Sequence, residues 1–526
     1  MNYPELLYKN CDLSLKFIRR KDLDKGIRLY IAYMMMMNNG WGVVTHLSKR
    51  FFISRTFAYM LMKQLNTATD ICFGCEVTEQ SKKEVKIELK NEALKQILLF
   101  RLEGKCSILS ISDILKTNGI ENNSVGTISQ NLNRIGRYLP NTLRNNGDEI
   151  LCVYLAADEL YSHSTPILIS VDAISTAIIK IELAESRKTD DWVSHFKEIK
   201  GNGVDVVMLV SDEGQGICAA TGAAFPEKKR QPDTFHAVSH RLGIWRSRLL
   251  SAAYTAIKEE YHRFEMFESA KTDVCIKKRM DAYFTAQAKA KQAVMLHDNF
   301  TFLYYCIIEH LQVFDNEGNL RDRKCAEENI SIALDYMIGL PIDKMKKEIN
   351  TIYNLLDNLL EYLDTAKEVV MKIGEKGIPG YIVQAFSLAW QYERNATKAK
   401  SADRKRYYKN KKTELISTMK MVLGTGFKLT RTNIFTELDK IIQSSAVVEN
   451  INSIVRTFLN TSKNHINQEL LNLIMFYHNH RRYNAGKRKG KTPMEILTGK
   501  KQEKDWLDML LEIDKEQKAL ALALAA

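Results

Sequence analysis

Three carboxylates in this 526-residue chain stand where chemistry could be done: Asp158, Asp212 and Glu449. Asp158 closes the apolar run Ile150-Leu151-Cys152-Val153-Tyr154-Leu155-Ala156-Ala157, and Asp212 closes a second run that begins at Val204. Glu449 lies far downstream in Ser444-Ser445-Ala446-Val447-Val448-Glu449-Asn450-Ile451-Asn452-Ser453. Two acids at strand ends and one on a late helix can hold two Mg²⁺ ions. Such a pair, about 3.5–4 Å apart, supports in-line attack on a phosphodiester and relieves charge on the leaving oxygen. Mg²⁺ prefers oxygen ligands and keeps waters, so a few carboxylates suffice. Asp158 would bridge both metals, Asp212 would complete one site and Glu449 the other, and Mn²⁺ would substitute for Mg²⁺.

Other residues group around these three. Asn452, Ser453 and Arg456 share the helix face of Glu449, which places Arg456 to hold a phosphate and Asn452 to orient a ligand or strand. His236, in Asp233-Thr234-Phe235-His236, reads two ways: a hydrogen-bond donor near the scissile phosphate, or a structural histidine on a strand. Asp172 is the rival for the first acid, but it ends the second strand, whose tip would lie at the opposite sheet end. Glu159 and Glu213 read as supporting or surface residues.

The elements that must position these groups follow from periodicity. The first 70 residues read as helices, with Ser54 capping the one that starts at Arg55. A short helix, a tight turn and a second helix make helix-turn-helix grammar, with Arg55 and Thr56 facing bases or phosphates; a plain three-helix bundle is the alternative. A polar link over 78–90 leads to a second such unit, with Ser124 to Ser129, and Thr127 among them, at its recognition end. From 150 the period changes. Runs at 150–158, 166–172 and 177–183 suggest an antiparallel meander. A helix through Trp192, Phe196 and Ile199 follows, then a buried strand over 204–211, a helix from 216 to 225 and a short strand around 234–238. That order is the one of the ribonuclease H fold, in which the first and fourth strands are neighbours. Residues 241–443 carry only helical stripes, including a long one through Ile349, Ile352, Leu356, Leu359 and Leu363. The basic run 398–412 is either a solvated face or a backbone-contacting surface. The fold class is therefore α+β multidomain: N-terminal helix-turn-helix units and a ribonuclease H-like α/β catalytic domain interrupted by a large all-α insertion. The domains fall at 1–70, 85–146, 150–240, 241–443 and 444–500, with a tail at 501–526. The basic loop near the end supplies Arg481, Arg482, Lys487, Arg488 and Lys489 as DNA-binding candidates.

Composition agrees. The net charge is +13, yet residues 151–240 hold 8 Lys and Arg against 13 Asp and Glu. An acidic segment between basic ones suits metal binding in the middle and nucleic acid around it. No run approaches 18 apolar residues, so no membrane span is expected. The charged N-terminus is not a secretory signal. A cytoplasmic protein associated with chromosomal DNA is expected. Cys72 and Cys75 form the one C-x-x-C, without a second pair at zinc spacing, so the nine cysteines read as reduced thiols.

Several blocks resemble the DDE transposases of bacterial insertion sequences, near the Mutator-like and hAT groups. They are Asp158-Glu159-Leu160-Tyr161, Leu209-Val210-Ser211-Asp212-Glu213-Gly214-Gln215-Gly216, Phe225-Pro226 with Asp233-Thr234-Phe235-His236, and the stretch from Ser444 through Tyr477-His478-Asn479-His480-Arg481-Arg482 to Lys491-Thr492-Pro493. Such enzymes carry a large helical insertion before the final glutamate, as the long gap from Asp212 to Glu449 would allow. They often show Cys-x-x-His where this chain has Asp233 and His236. The resemblance implies a polynucleotidyl transferase that nicks the ends of a DNA element and joins the freed 3′-OH to target DNA. Its partners would be double-stranded DNA, as terminal inverted repeats and target, and a homodimer or larger synaptic assembly. A domesticated DNA-binding or regulatory relative and a structure-specific nuclease of the same fold are the competing readings.

Overall fold

The computed structural model describes residues 20, 22–38, 42–73, 79–145, 150–228 and 230–525. Cys75 lies outside them. The chain divides into two compact units: Met1–Asn141 with Ser453–Thr492 and Lys500–Ala526, and Thr142–Asn452 with Pro493–Gly499.

The first unit is helical. Helices α1 (Lys25–Met37), α2 (Val43–Arg50) and α3 (Arg55–Phe73) close on Ile31, Met35, Leu47, Ala58 and Leu61. Asp24 caps α1 by accepting from the Ile27 amide, and Ser54 caps α3 by accepting from the Phe57 amide at 3.1 Å, which satisfies amides the helix itself leaves open. The stretch read as a polar link is instead the start of α4 (Glu79–Leu98), because Glu, Gln and Lys support a helix as readily as a linker. A π-helical turn (Leu99–Glu103), α5 (Ile108–Thr117) and α6 (Val125–Tyr138) follow. Ser107 and Ser124 cap α5 and α6.

The second unit is built on a mixed five-stranded sheet of order β3-β2-β1-β4-β5. Strands β1 (Leu151–Ser162), β2 (Thr165–Asp172) and β3 (Ile178–Leu183) form the antiparallel meander. Helix α7 (Thr189–Gly201) leads to β4 (Val204–Ser211), which lies parallel to β1. Helix α8 (Gln215–Ala224) leads to β5 (Arg230–Pro232), parallel to β4. Trp192, Phe196, Ile199, Ile217 and Ala220 from the two helices bury one sheet face with Val153, Leu155, Val206 and Leu209. The β4 run is not buried throughout: Asp205 and Val207 face outward, and continuous burial starts at Met208. The strand expected around 234–238 is displaced upstream to β5, and Phe235–His240 forms a π-helical turn. Asp233 causes this: its Oδ1 accepts from the Phe235 and His236 amides at 2.7 and 3.1 Å, starting a helical turn.

Residues after His240 are helical, as the stripes predict: α9 (Arg241–Glu268), α10 (Asp273–His310), α11 (Arg323–Ile338), α12 (Lys346–Leu359), α13 (Glu361–Gly374), α14 (Gly380–Lys398), α15 (Ala402–Leu423) and α16 (Phe427–Leu438). The stripe through Ile349 and Leu363 is two helices, not one. The buried amide of Gln231 enters the break: it donates to the Leu359 carbonyl at 2.9 Å and accepts from the Tyr362 amide at 3.0 Å. Helix α17 (Ala446–Thr461) carries Glu449; α18 (Gln468–His480), α19 (Pro493–Thr498) and α20 (Trp506–Ala525) complete the chain. Among the described residues no helix is long and apolar enough to cross a membrane, and the seven cysteines are free.

Candidate active site

The sheet brings the first two acids together. The last pair of the parallel β1/β4 ladder is Ala157 with Ser211, and Asp158 and Asp212 are the next residues on each strand. Asp158 is not at a strand end, however. Its strand continues to Ser162 because residues 158–162 stay paired with β2, and only the ladder to β4 stops there. Asp212 turns off β4, and its Oδ1 accepts from the Gly214 amide at 3.0 Å ahead of α8.

Asp158 is held by two donors, the Glu159 amide at 2.9 Å on Oδ1 and Asn452 Nδ2 at 2.7 Å on Oδ2. Burial pushes its pKa up to about 6; the two hydrogen bonds oppose this, and the charges of Asp212 and Glu159 add to it. The third acid has a different partner. Glu449 Oε1 lies 2.9 Å from His236 Nε2. Burial lowers the His236 pKa, but the Glu449 hydrogen bond and the charges of Asp233, Glu449 and Asp212 outweigh it and raise it above the ordinary value. So Asp212 acts electrostatically on both Asp158 and His236, and α17 reaches the same place through Asn452 and Glu449. His236 sits on a helical turn, so its reading as a strand histidine is set aside.

Asp233 and Asp172 have structural work. Asp233, 2% exposed, starts the His236 turn with Oδ1, and its Oδ2 accepts from the amide and hydroxyl of Ser445 at 2.7 and 2.6 Å. It thus joins the turn carrying His236 to the start of the helix carrying Glu449. Sequence reasoning noted Asp233 only as a departure from a cysteine; a short acid two residues ahead of a helical turn was the signal to read. Asp172 accepts from the Tyr154 amide at 2.9 Å and from the amide and hydroxyl of Ser175, which fixes the turn from β2 to β3. Ser170, His195 and Glu182 are joined as a serine–histidine–acid relay, at 2.9 and 2.7 Å. Ser170 and His195 are fully buried, so the relay binds α7 to β2 and β3 rather than attacking a substrate.

Among the described residues no group of three or more Asp, Glu, His or Cys side chains converges as a ready-made metal site. The donor set still fits a hard divalent cation. Asp158 and Asp212 offer oxygens just past the last pair of the β1/β4 ladder, their mutual repulsion is what a cation would relieve, and buried Asn452 Oδ1 has no hydrogen-bond partner beside Asp158. Glu449, turned to His236, is half exposed.

The expected DNA-contacting residues fall elsewhere. Arg55, Thr56 and Arg456 are exposed. Ser124 is committed to capping α6, with its hydroxyl also 2.8 Å from Thr127 Oγ1. Arg481 reaches Glu103, and Arg482 donates to the Gly490 and Gln502 carbonyls, closing the basic loop on its own unit. Lys487 and Lys489 are exposed and Arg488 is half-buried.

A cavity of about 470 Å³ opens beside the acids, lined by Glu159, Arg187, Lys188, Thr189, Gln215 and Gly216 among others. Sequence reasoning missed it, and Arg187, which pairs with Glu159 at 2.9 Å. Gly216 is required at its rim: a Cβ there would lie 2.4 Å from the Arg187 carbonyl. Gly216→Ala is expected to displace the start of α8, and with it the Asp212 turn, at a cost of about 1–3 kcal/mol. A thermal melt and a Mn²⁺ titration of the variant measure both effects; unchanged stability and metal affinity would refute the close approach.

Residues 158–308 match the family model described as Transposase, Mutator family. The match supports a DDE-type transposase. It starts at Asp158, includes Asp212 and His236, stops short of Glu449, and leaves open a bacterial insertion-sequence origin. The Drosophila P element transposase strand transfer complex aligns at 12% identity over 73% of this chain and 100% of that chain, with a TM-score of 0.29. That overlap is too loose to speak of a shared fold. No curated protein matches the chain.

Proposed function

We propose that this chain is a DDE transposase that binds the ends of a DNA element and cleaves and transfers its strands, on a ribonuclease H-like domain served by N-terminal helix-turn-helix units. The observation that carries it is the meeting of Asp158 and Asp212 past the last β1/β4 pair, with one helix bringing Asn452 to Asp158 and Glu449 to His236. A family match that begins at the first of these acids supports it.

Asp158, Asp212 and Glu449 would hold divalent cations, Mg²⁺ with Mn²⁺ as a substitute. Bound there, they would supply Lewis acidity and an activated attacking oxygen. The chain's own residues do the positioning. Asn452 fixes the rotamer of Asp158. His236, protonated more readily than an ordinary histidine, keeps Glu449 in place and offers positive charge where a phosphate would develop more negative charge. Arg456 and the basic loop residues Lys487, Arg488 and Lys489 would contact backbone phosphates. Arg55, Thr56 and the start of α6 at Ser124 and Thr127 would read the element's ends.

The test selects bound fragments from random-sequence DNA, then incubates them with Mg²⁺ or Mn²⁺. The expected result is one recovered sequence, nicked at a fixed position and joined to a second duplex. Recovery of a sequence that is never nicked with either metal would overturn the enzyme reading in favour of a binding protein.

A further inference from the structure

The helical part of the second unit contains a basic cluster that the carboxylate site does not use. Tyr305 on α10 accepts hydrogen bonds at its hydroxyl from two guanidinium groups, Arg246 Nη1 on α9 at 2.6 Å and Arg404 Nη2 on α15 at 2.8 Å. Arg246 also lies 5.5 Å from the ring centres of Tyr304 and Tyr305, and Arg404 lies 5.0 Å from that of Tyr305. One residue pair away on α9, Arg248 stacks on Trp245 at 5.0 Å. Three helices therefore bring two full positive charges to one neutral oxygen.

What is missing is a counter-ion. Among the described residues neither Arg246 nor Arg404 meets a carboxylate. Burial raises the Tyr305 phenol, but its hydrogen bonds and proximity to Arg404 and Arg246 bring it below its ordinary pKa, and no acid offsets them. Two like charges gathered on a phenol are electrostatically unfavourable until an anion joins them. The stretch 402–412 adds Lys405, Arg406 and Lys409 against a single Asp403, while its Lys411 and Lys412 are paired with Glu414 and Glu393. Guanidinium forks match phosphate oxygens, and neighbouring aromatic faces suit nucleic acid.

We infer that Arg246, Tyr305 and Arg404 form a phosphate clamp for the DNA backbone, so that the helical insertion grips the same DNA the carboxylate site acts on. Tyr305 pre-orients the two forks, and the phosphodiester supplies the charge they lack. The clamp rests on the DNA-acting function proposed above, but it binds without a metal.

The experiment measures binding of the full chain to duplex DNA in EDTA across a salt series. Each phosphate contact contributes a slope of about 0.9 in log affinity against log salt. R246Q/R404Q removes that one phosphate contact and is expected to lower the slope by about 0.9 and the affinity at 0.1 M salt by roughly tenfold for each arginine. R246K/R404K keeps the charge without the fork. It should fold like the parent and retain most of the slope with weaker binding, which keeps the clamp testable should the glutamine pair fail to fold. A folded glutamine pair with parental slope and affinity overturns the clamp. So does a lysine pair with parental affinity. Failure of the enzyme reading would show separately, as intact EDTA-resistant binding without nicking.

Discussion

Asp158→Asn is expected to lose at least about a thousandfold in metal-dependent strand cleavage while folding more stably than the parent at alkaline pH. The two effects have one cause. The Asp158 pKa is raised to about 6, above its value of roughly 3.9 in an unfolded chain. The folded state therefore binds the proton more tightly, and the stability this supplies is complete below about pH 4 and lost as pH rises through 6. At pH 8 the ionised carboxylate costs on the order of 2 kcal/mol, after a discount for its partial exposure. Asparagine removes that charge, and rotation of the Asn452 amide would turn its unpartnered oxygen to the new donor. Melting curves of parent and variant should separate at pH 8, converge near pH 4, and close again when Mg²⁺ is added to the parent at pH 8. A variant that cleaves at the parental rate, or that melts lower at pH 8, would remove Asp158 from the site.

Gly136→Ala carries the largest expected stability effect, and it lies in the other unit. A Cβ at Gly136 would sit 2.2 Å from the Glu469 carbonyl oxygen and 2.7 Å from its carbon. The obstacle is backbone, so no side chain can move away. Here α6 and α18 cross at close range, and Asn472 Nδ2 donates to the Gly136 and Leu139 carbonyls at 3.0 and 2.9 Å. A single methyl must push the helices apart and strain those bonds, costing about 3 kcal/mol or more. Urea unfolding, followed by hydrogen exchange in α6 and α18, measures it. A loss below about 1 kcal/mol would contradict the crossing.

Much of the sheet was legible because its signals are local. The runs ending in Asp158 and Asp212 are apolar at strand length, and the meander spacing and the α7 and α8 helices follow from periodicity alone. Three features were not. The continuation of β1 beyond Asp158 depends on pairing with β2, which no run of residues announces. The break at Leu360 depends on a buried glutamine more than a hundred residues away, in a helical stripe that reads as unbroken. The short strand was misplaced because Phe235 and Val238 favour strands, while the capping oxygen of Asp233 overrules them. At the site, residue types pointed to the acids, but the pairing of Glu449 with His236 and of Asn452 with Asp158 needed the third dimension.

The two hydrogen bonds that Asp233 accepts from Ser445 also close a ring in the chain, spanning 212 positions of sequence. Thr234 reinforces it through the Gln443 carbonyl, at 3.0 and 2.8 Å. Bringing such distant ends together costs about 5 kcal/mol in loop entropy by the logarithmic law, and doubling the loop adds only about 0.6. The pairing of the His236 turn with the Glu449 helix is therefore nearly indifferent to how much chain is looped out between them. Insertions there are cheap in entropy, and the helical segment is free to diverge or acquire new duties. The order of assembly is less free. Asp158 and Asp212 meet as soon as two neighbouring strands pair, whereas Glu449 arrives only once the ring has shut.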